Sequence, residues 1–254
     1  MTSTVREFWD GRAALGPLAG TNDYHLTTLE RAVILKHVSA GMRVLDAGCG
    51  TGDTLAYLAS RTPIDGLGID FSPAMIARAV PREGLTFQVH DVTQSVPRGP
   101  FDLIYTQRML INLPDWPTQQ RVIEALGERL ALGGCLLMVE SSHDGLTRLN
   151  ILRSCVGLPE IVAPWHNRYL RQAEMRTVSG RQWHHQDEPV DFSASYYFMS
   201  RILNALDAQQ KVEEPSYDAP INWRGVERAL EEIAGAKTCP LSGCGQTWYW
   251  RWGR

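Results

Sequence analysis

The chain has 254 residues, 44% of them hydrophobic and 21% charged, with a formal net charge of −3 at pH 7. That is an ordinary globular composition, long enough for one large α/β domain, and it carries no electrostatic footprint for duplex nucleic acid or an anionic membrane. No apolar run approaches a membrane span, and the first ten residues include Glu7 and Asp10, unlike a secretory signal. Five cysteines in no regular framework read as reduced thiols in a cytoplasm.

Residues 1–24 have weak periodicity and a run of small residues, and are expected to form an arm. Trp9 and Arg12 lie close enough to share one helical face. His25 to Val38 has helical apolar spacing, and Gly41 ends it. Arg43 to Thr54 then reads R-V-L-D-A-G-C-G-T-G-D-T. A β-branched apolar run, an acid and three alternating glycines predict a buried strand and a sharp turn, followed by a helix from Thr54 to Ser60. In open α/β sheets a ligand lies at such a turn. The dinucleotide fingerprint needs a glycine where Asp53 stands, and a carboxylate there would repel a diphosphate. With Asp46 at the strand's end, Gly48 and Gly50 are better suited to a nucleoside with a cationic tail.

Leu67 to Ile69 forms a second strand ending in Asp70, about 20 residues past the turn, where such sheets present a carboxylate to ribose hydroxyls. Ser72-Pro73 can start the next helix, Ala74 to Val80. Leu85 to Val89 is a third strand followed by His90-Asp91-Val92, and Phe101 to Tyr105 a fourth followed by Thr106-Gln107-Arg108. Thr118 to Leu132 reads as a helix capped by Gly133-Gly134, and Cys135 to Val139 as a fifth strand closing in Glu140.

These motifs, in this order, resemble the class I S-adenosylmethionine-dependent methyltransferases. The strongest matches are the R-V-L-D-A-G-C-G-T-G stretch, P-F-D-L-I at the fourth strand and L-A-L-G-G-C-L-L-M-V-E before and through the fifth. The resemblance covers mainly residues 43–141. It implies an α/β Rossmann-like fold: a seven-stranded, mostly parallel sheet with helices on both faces and a reversed last strand. The cofactor it implies is S-adenosylmethionine, with S-adenosylhomocysteine as product. By that likeness Phe71 and Met75 border the adenine, Asp91 accepts from its amino group and the Val92 amide meets a ring nitrogen. Backbone carbonyls around Gln107 take the cofactor's ammonium, and Arg12 pairs its carboxylate. Many relatives carry a histidine near Asn112, so a base at that position is in doubt, but Asn112 can still position a substrate.

The chain is read as a single domain, 1–254, in which residues 142–190 form a substrate lid with helical content from Leu146 to Cys155. Loops at the carboxyl edge of a sheet usually carry the specific chemistry. The lid contains His143, the cluster Trp165-His166-Asn167-Arg168-Tyr169 and Trp183-His184-His185. His143 and His166 are the leading candidates for a general base, with Tyr196 as an alternative. Trp165, Asn167 and Tyr169 are candidate substrate contacts. Asp191 to Met199 alternates as a sixth strand, Arg201 to Ala208 and Trp223 to Ile233 read as helices, and Trp248, Trp250 and Trp252 alternate in a final strand. Cys239 and Cys244 are spaced too loosely for a zinc pair, and no metal is expected.

The expected activity is methyl transfer to an oxygen or nitrogen of a small-molecule acceptor. Rival readings are a nucleic-acid or protein methyltransferase and a non-catalytic cofactor-binding subunit. The Asp/Asn-Pro-Pro-aromatic run typical of enzymes acting on exocyclic base amines is replaced by Gln107-Arg108-Met109-Leu110.

Overall fold

The computed structural model describes residues 3–178, 184–185 and 188–254. Trp183 therefore lies outside the described residues, and only the backbone of His184 and His185 is described. The chain opens with α1 (Ser3–Arg12), a 3-10 stretch (Ala13–Leu18) and α2 (Tyr24–Leu35). The β/α units follow: β1 (Arg43–Ala47), α3 (Asp53–Ala59), β2 (Asp65–Asp70), α4 (Pro73–Ile76), β3 (Leu85–Val89), β4 (Phe101–Gln107), α5 (Trp116–Gly127) and β5 (Leu130–Ser141). Beyond them come α6 (His143–Cys155), α7 (Gln172–Met175), β6 (His184–His185), β7 (Val190–Asp191), α8 (Ala194–Tyr197), α9 (Asn204–Lys211), α10 (Pro220–Ile233) and β8 (Thr247–Gly253).

The strand order is β3-β2-β1-β4-β5-β8-β6, with β7 also paired to β8. The first five strands are parallel and β8 runs antiparallel to β5, the reversed strand expected. Two short pieces, β6 and β7, share the seventh position, along the outer edge of β8. The order reverses between β1 and β4, where a doubly wound sheet opens its crevice. Ala47 pairs with both Ile69 and Thr106, so Gly48, Asp70 and Gln107 emerge along one rim.

Each face of the sheet buries its own apolar layer. Trp248, Trp250 and Trp252 pack with Val122, Ile123 and Leu126 of α5 on one side. Leu29 and Val33 of α2 and Val226 of α10 cover the other, with Tyr196 and Tyr197. A buried tryptophan removes on the order of 150 Å² or more from water, worth about 4 kcal/mol before entropic costs.

Two elements differ from the sequence reading. The fifth helix stops at Gly127, and Gly133-Gly134 lie within β5 rather than capping a helix. The register between β4 and β5 shifts there, and a Cβ on Gly134 would stand 2.9 Å from the Phe101 carbonyl oxygen. The glycines let two backbones pass closely. Of residues 191–199, only Asp191 lies in a strand, at the end of β7. The Asp191 carboxylate accepts the amide N–H groups of Ser193, Gly243 and Gly245, which turns the chain immediately after β7. The residues beyond coil into α8, burying Phe192 and Tyr196 four positions apart.

Candidate active site

A cleft of about 350 Å³ opens at the carboxyl ends of β1, β2 and β4. Its floor is the glycine turn. Gly48 (φ 84°) and Gly50 (φ 54°) adopt left-handed backbone, where a side chain is disfavoured. A Cβ on Gly48 would meet Met109 Cγ at 2.2 Å, whereas one on Gly50 would project into open space. Gly50 thus leaves the backbone bare toward the cleft.

Asp70 ends β2 and is 8% exposed. Its two carboxylate oxygens accept from the Gly50 amide at 3.0 Å and the Ser72 amide at 2.9 Å. Each oxygen keeps lone-pair capacity for a hydroxyl. Ser72 caps α4, accepting from the Met75 amide at 3.1 Å, and its own hydroxyl donates to Asp10 of α1. Burial raises the Asp70 pKa, opposed by those amide bonds. Phe71, Met75 and Val92 give the same end of the cleft an apolar wall.

Asp46 does not line the cleft. It lies buried under the turn, accepting from the Tyr105 hydroxyl at 2.6 Å. Burial pushes its pKa up to about 7; the tyrosine bond opposes the shift and the charge of Asp70 adds to it. A cation bound above Asp46 favours the ionised form, so binding releases a proton. Affinity for a cationic ligand is therefore expected to rise as pH goes from 6 to 8 through that value, and to lose this dependence in Asp46→Asn. Calorimetric titration across the range checks this; a falling affinity contradicts it.

Arg12 and Trp9, from α1, roof the cleft with Phe8. Arg31 of α2 reaches it from the turn side, donating to Thr54 Oγ1 at 3.2 Å. Gln107 and Arg108 line the wall beyond β4, and both donate to Glu30, which is fully buried. Arg108 itself has a left-handed backbone, φ 53°. Glu140, also fully buried, accepts from Thr106 Oγ1 at 2.7 Å and from the Met109 and Leu110 amides at 3.1 Å. It fixes the loop that carries Asn112.

Asn112, His166 and Asn167 all line the far end. Asn112 Oδ1, His166 Nδ1 and Asn167 Oδ1 are buried and have no hydrogen-bond partner among the described residues. Orphaned buried polar atoms are rare in folded proteins, and these three at the far end, with Arg108 Nε on the wall as a fourth, suit a polar ligand. Burial and the neighbouring Arg12 charge hold the His166 pKa below the usual imidazole value. Phe8 packs on its ring at 4.3 Å.

Several expected residues stand elsewhere. His143 begins α6, away from the cleft, its Nδ1 at 3.5 Å from Thr147 Oγ1. The Tyr196 hydroxyl is buried in the layer that α2 and α10 share and donates to Asp23 at 2.6 Å; the residue does not line this cleft. Tyr169 is buried and accepts from Gln246 Nε2. Trp165 is 67% exposed and meets the rings of Phe8 and His166 without itself lining the cleft. Asp91 Oδ1 accepts from the Thr93 amide and hydroxyl, and Oδ2 lies 4.0 Å from the Arg6 guanidinium, while its neighbour Val92 lines the cleft. Among the described residues no group of three His, Cys, Asp or Glu could hold a metal.

Residues 44–134 match the family model described as Methyltransferase domain. A trans-aconitate 2-methyltransferase of Deinococcus radiodurans is 41% identical over 40% of this chain and 39% of its own length. A chloroplastic tocopherol O-methyltransferase of Arabidopsis thaliana is 26% identical over 78% of this chain and 57% of its own. The chain carries a methyltransferase domain over residues 44–134, and these likenesses support a class I S-adenosylmethionine-dependent methyltransferase. It spans well under two thirds of the length of those two relatives. A solved complex between the Haloferax volcanii Trm112 methyltransferase activator and the putative methyltransferase superposes over 96% of both chains with a TM-score of 0.58 at 19% identity, which shows the shared methyltransferase fold. S-adenosylmethionine is the cofactor of this family, and the cleft fits it. A buried acid at Asp70, the bare backbone at Gly50 and the apolar wall at Phe71 and Met75 match a diol, a nucleoside and an adenine.

The sequence reading missed Arg31, Arg108 and Glu30. Glu30 had a signal: a charge within the apolar stripe Leu26, Leu29, Val33 of α2.

Proposed function

We propose that this protein transfers a methyl group to an oxygen or nitrogen of a small-molecule acceptor seated at Asn112, His166 and Asn167. The observation that carries the reading is the trio of unpartnered polar atoms beside an acid-lined nucleoside cleft. When bound, S-adenosylmethionine supplies a methyl already activated on a sulfonium. The chain chiefly has to hold the acceptor in line, which orientation alone can make worth several kcal/mol. Asn112 Oδ1 and Asn167 Oδ1 accept from the acceptor's O–H or N–H groups. His166 is neutral at pH 7, and its Nδ1 takes the proton a hydroxyl acceptor gives up as its oxygen bonds to the methyl carbon and the C–S electron pair returns to sulfur. Phe8 and Trp9 exclude water above.

In this reading Asp70 holds the ribose hydroxyls, Phe71, Met75 and the Val92 amide hold the adenine, and carbonyls near Gln107 receive the ammonium. Residues 1–24 act as the arm and 142–190 as the lid over one domain. The location proposed for the protein is the cytoplasm, where thiols in no regular framework stay reduced. Asp70→Ala is expected to weaken S-adenosylmethionine binding at least tenfold, on the order of a lost pair of charged hydrogen bonds. Calorimetry on the purified protein checks this; unchanged affinity removes Asp70 from the ribose.

A further inference from the structure

We propose that the methyl acceptor is a small carboxylate, received by the guanidinium of Arg12. This rests on the methyltransferase reading of the cleft and names the acceptor's chemical class. Three guanidiniums line the cleft: Arg12, Arg31 and Arg108. Arg108 is neutralised by its ion pair with the buried Glu30. Among the described residues neither Arg12 nor Arg31 has an ion pair with a carboxylate. Arg12 donates only to backbone carbonyls, Ala19 O at 2.5 Å and Leu18 O at 3.2 Å. Arg31 donates to the Thr54 hydroxyl and lies 5.3 Å from the Tyr57 ring centre. Two half-buried cations thus face a ligand that carries one carboxylate, in its amino-acid tail. One guanidinium is left over.

Position decides which. Arg31 meets Thr54 at the first turn of α3, directly after the glycine turn that holds the tail. Arg12 stands one helical turn from Phe8, its guanidinium 5.8 Å from that ring centre, and Phe8 stacks on His166. The charge of Arg12 also depresses the His166 pKa, which places the two groups together electrostatically. Arg12 therefore belongs to the acceptor end, whereas the sequence reading gives it to the cofactor's tail. Arg31 shares the cofactor end with Asp53 and Asp70, whereas Arg12 is tied through Phe8 to His166, one of the residues with an orphaned polar atom. A partly buried guanidinium lacking a counter-charge is costly, and a carboxylate forms two parallel charge-assisted bonds with it.

The test is calorimetric titration of the protein loaded with S-adenosylhomocysteine, using citrate, glutarate and benzoate, with their neutral amides as controls. Arg12→Gln and the charge-preserving Arg12→Lys are titrated alongside. At least one of the acids is expected to bind saturably, at least tenfold more tightly than its amide. That binding should fall at least tenfold in Arg12→Gln and recover in Arg12→Lys, while S-adenosylhomocysteine affinity changes less than threefold in either. The proposal is overturned if no acid binds at millimolar concentration, if amides bind as well as acids, or if Arg12→Gln loses S-adenosylhomocysteine instead. Failure of the unmodified protein to bind S-adenosylhomocysteine at all would refute the methyltransferase reading itself, a separate outcome.

Discussion

Arg108→Ala is expected to lower the unfolding free energy by about 3–5 kcal/mol, the cost typical of removing one partner of a buried ion pair. Glu30 has no exposed surface, and its carboxylate is held by the Arg108 guanidinium and by Gln107 Nε2 at 2.5 Å. Burial already raises the Glu30 pKa, and the Arg108 charge is the largest effect opposing that rise. Without Arg108, one amide donor faces a carboxylate in apolar surroundings. Alanine, like arginine, pays the left-handed backbone at φ 53°, so the difference isolates the charge and its hydrogen bonds. Urea denaturation at pH 8, where Glu30 is driven toward its ionised form, measures the loss. A value below about 1 kcal/mol, the range of exposed pairs, contradicts a buried charge partnership.

His166→Ala is expected to reduce kcat for a hydroxyl acceptor by about 10²–10⁴-fold, the range a positioned general base supplies. Affinity for S-adenosylmethionine should stay within a few-fold, because the ring stands at the acceptor end. The pKa of His166 lies below the usual imidazole value through burial and the Arg12 charge. The neutral form therefore persists to lower pH than in a free histidine, and the acid limb of the kcat profile should fall below pH 6.5. Steady-state kinetics of wild type and variant test both points. A loss under threefold, or an acid limb unchanged in the variant, assigns the base to another group.

The β1 strand, its glycine turn and Asp70 were legible because each depends on neighbours in sequence. A left-handed turn demands glycine locally, and an acid at a strand's end falls on the rim by alternation alone. The last strand was legible from Trp248, Trp250 and Trp252, which share one buried face, but its reversal was implied only by the family resemblance. The pairing of Glu30 with Arg108 was not, because it joins the helix before β1 to the loop after β4, and no local pattern links them. Tyr196 and Tyr197 show the opposite failure. Their alternation is too short to separate strand from helix, and the turn made by Asp191 with Gly243 and Gly245 decides it from distant chain. His143 and His166 looked alike as sequence. Only the fold carries His166 under Phe8 and leaves His143 at the start of α6, one turn from Thr147.

The central claim is that acids around a glycine hinge receive a sulfonium nucleoside and turn away a diphosphate. Titrating the purified protein at pH 8 with S-adenosylmethionine and, separately, with a nicotinamide dinucleotide tests it most directly. The expected result is saturable one-to-one binding of S-adenosylmethionine and none of the dinucleotide. Binding of the dinucleotide, or no binding of S-adenosylmethionine, contradicts it.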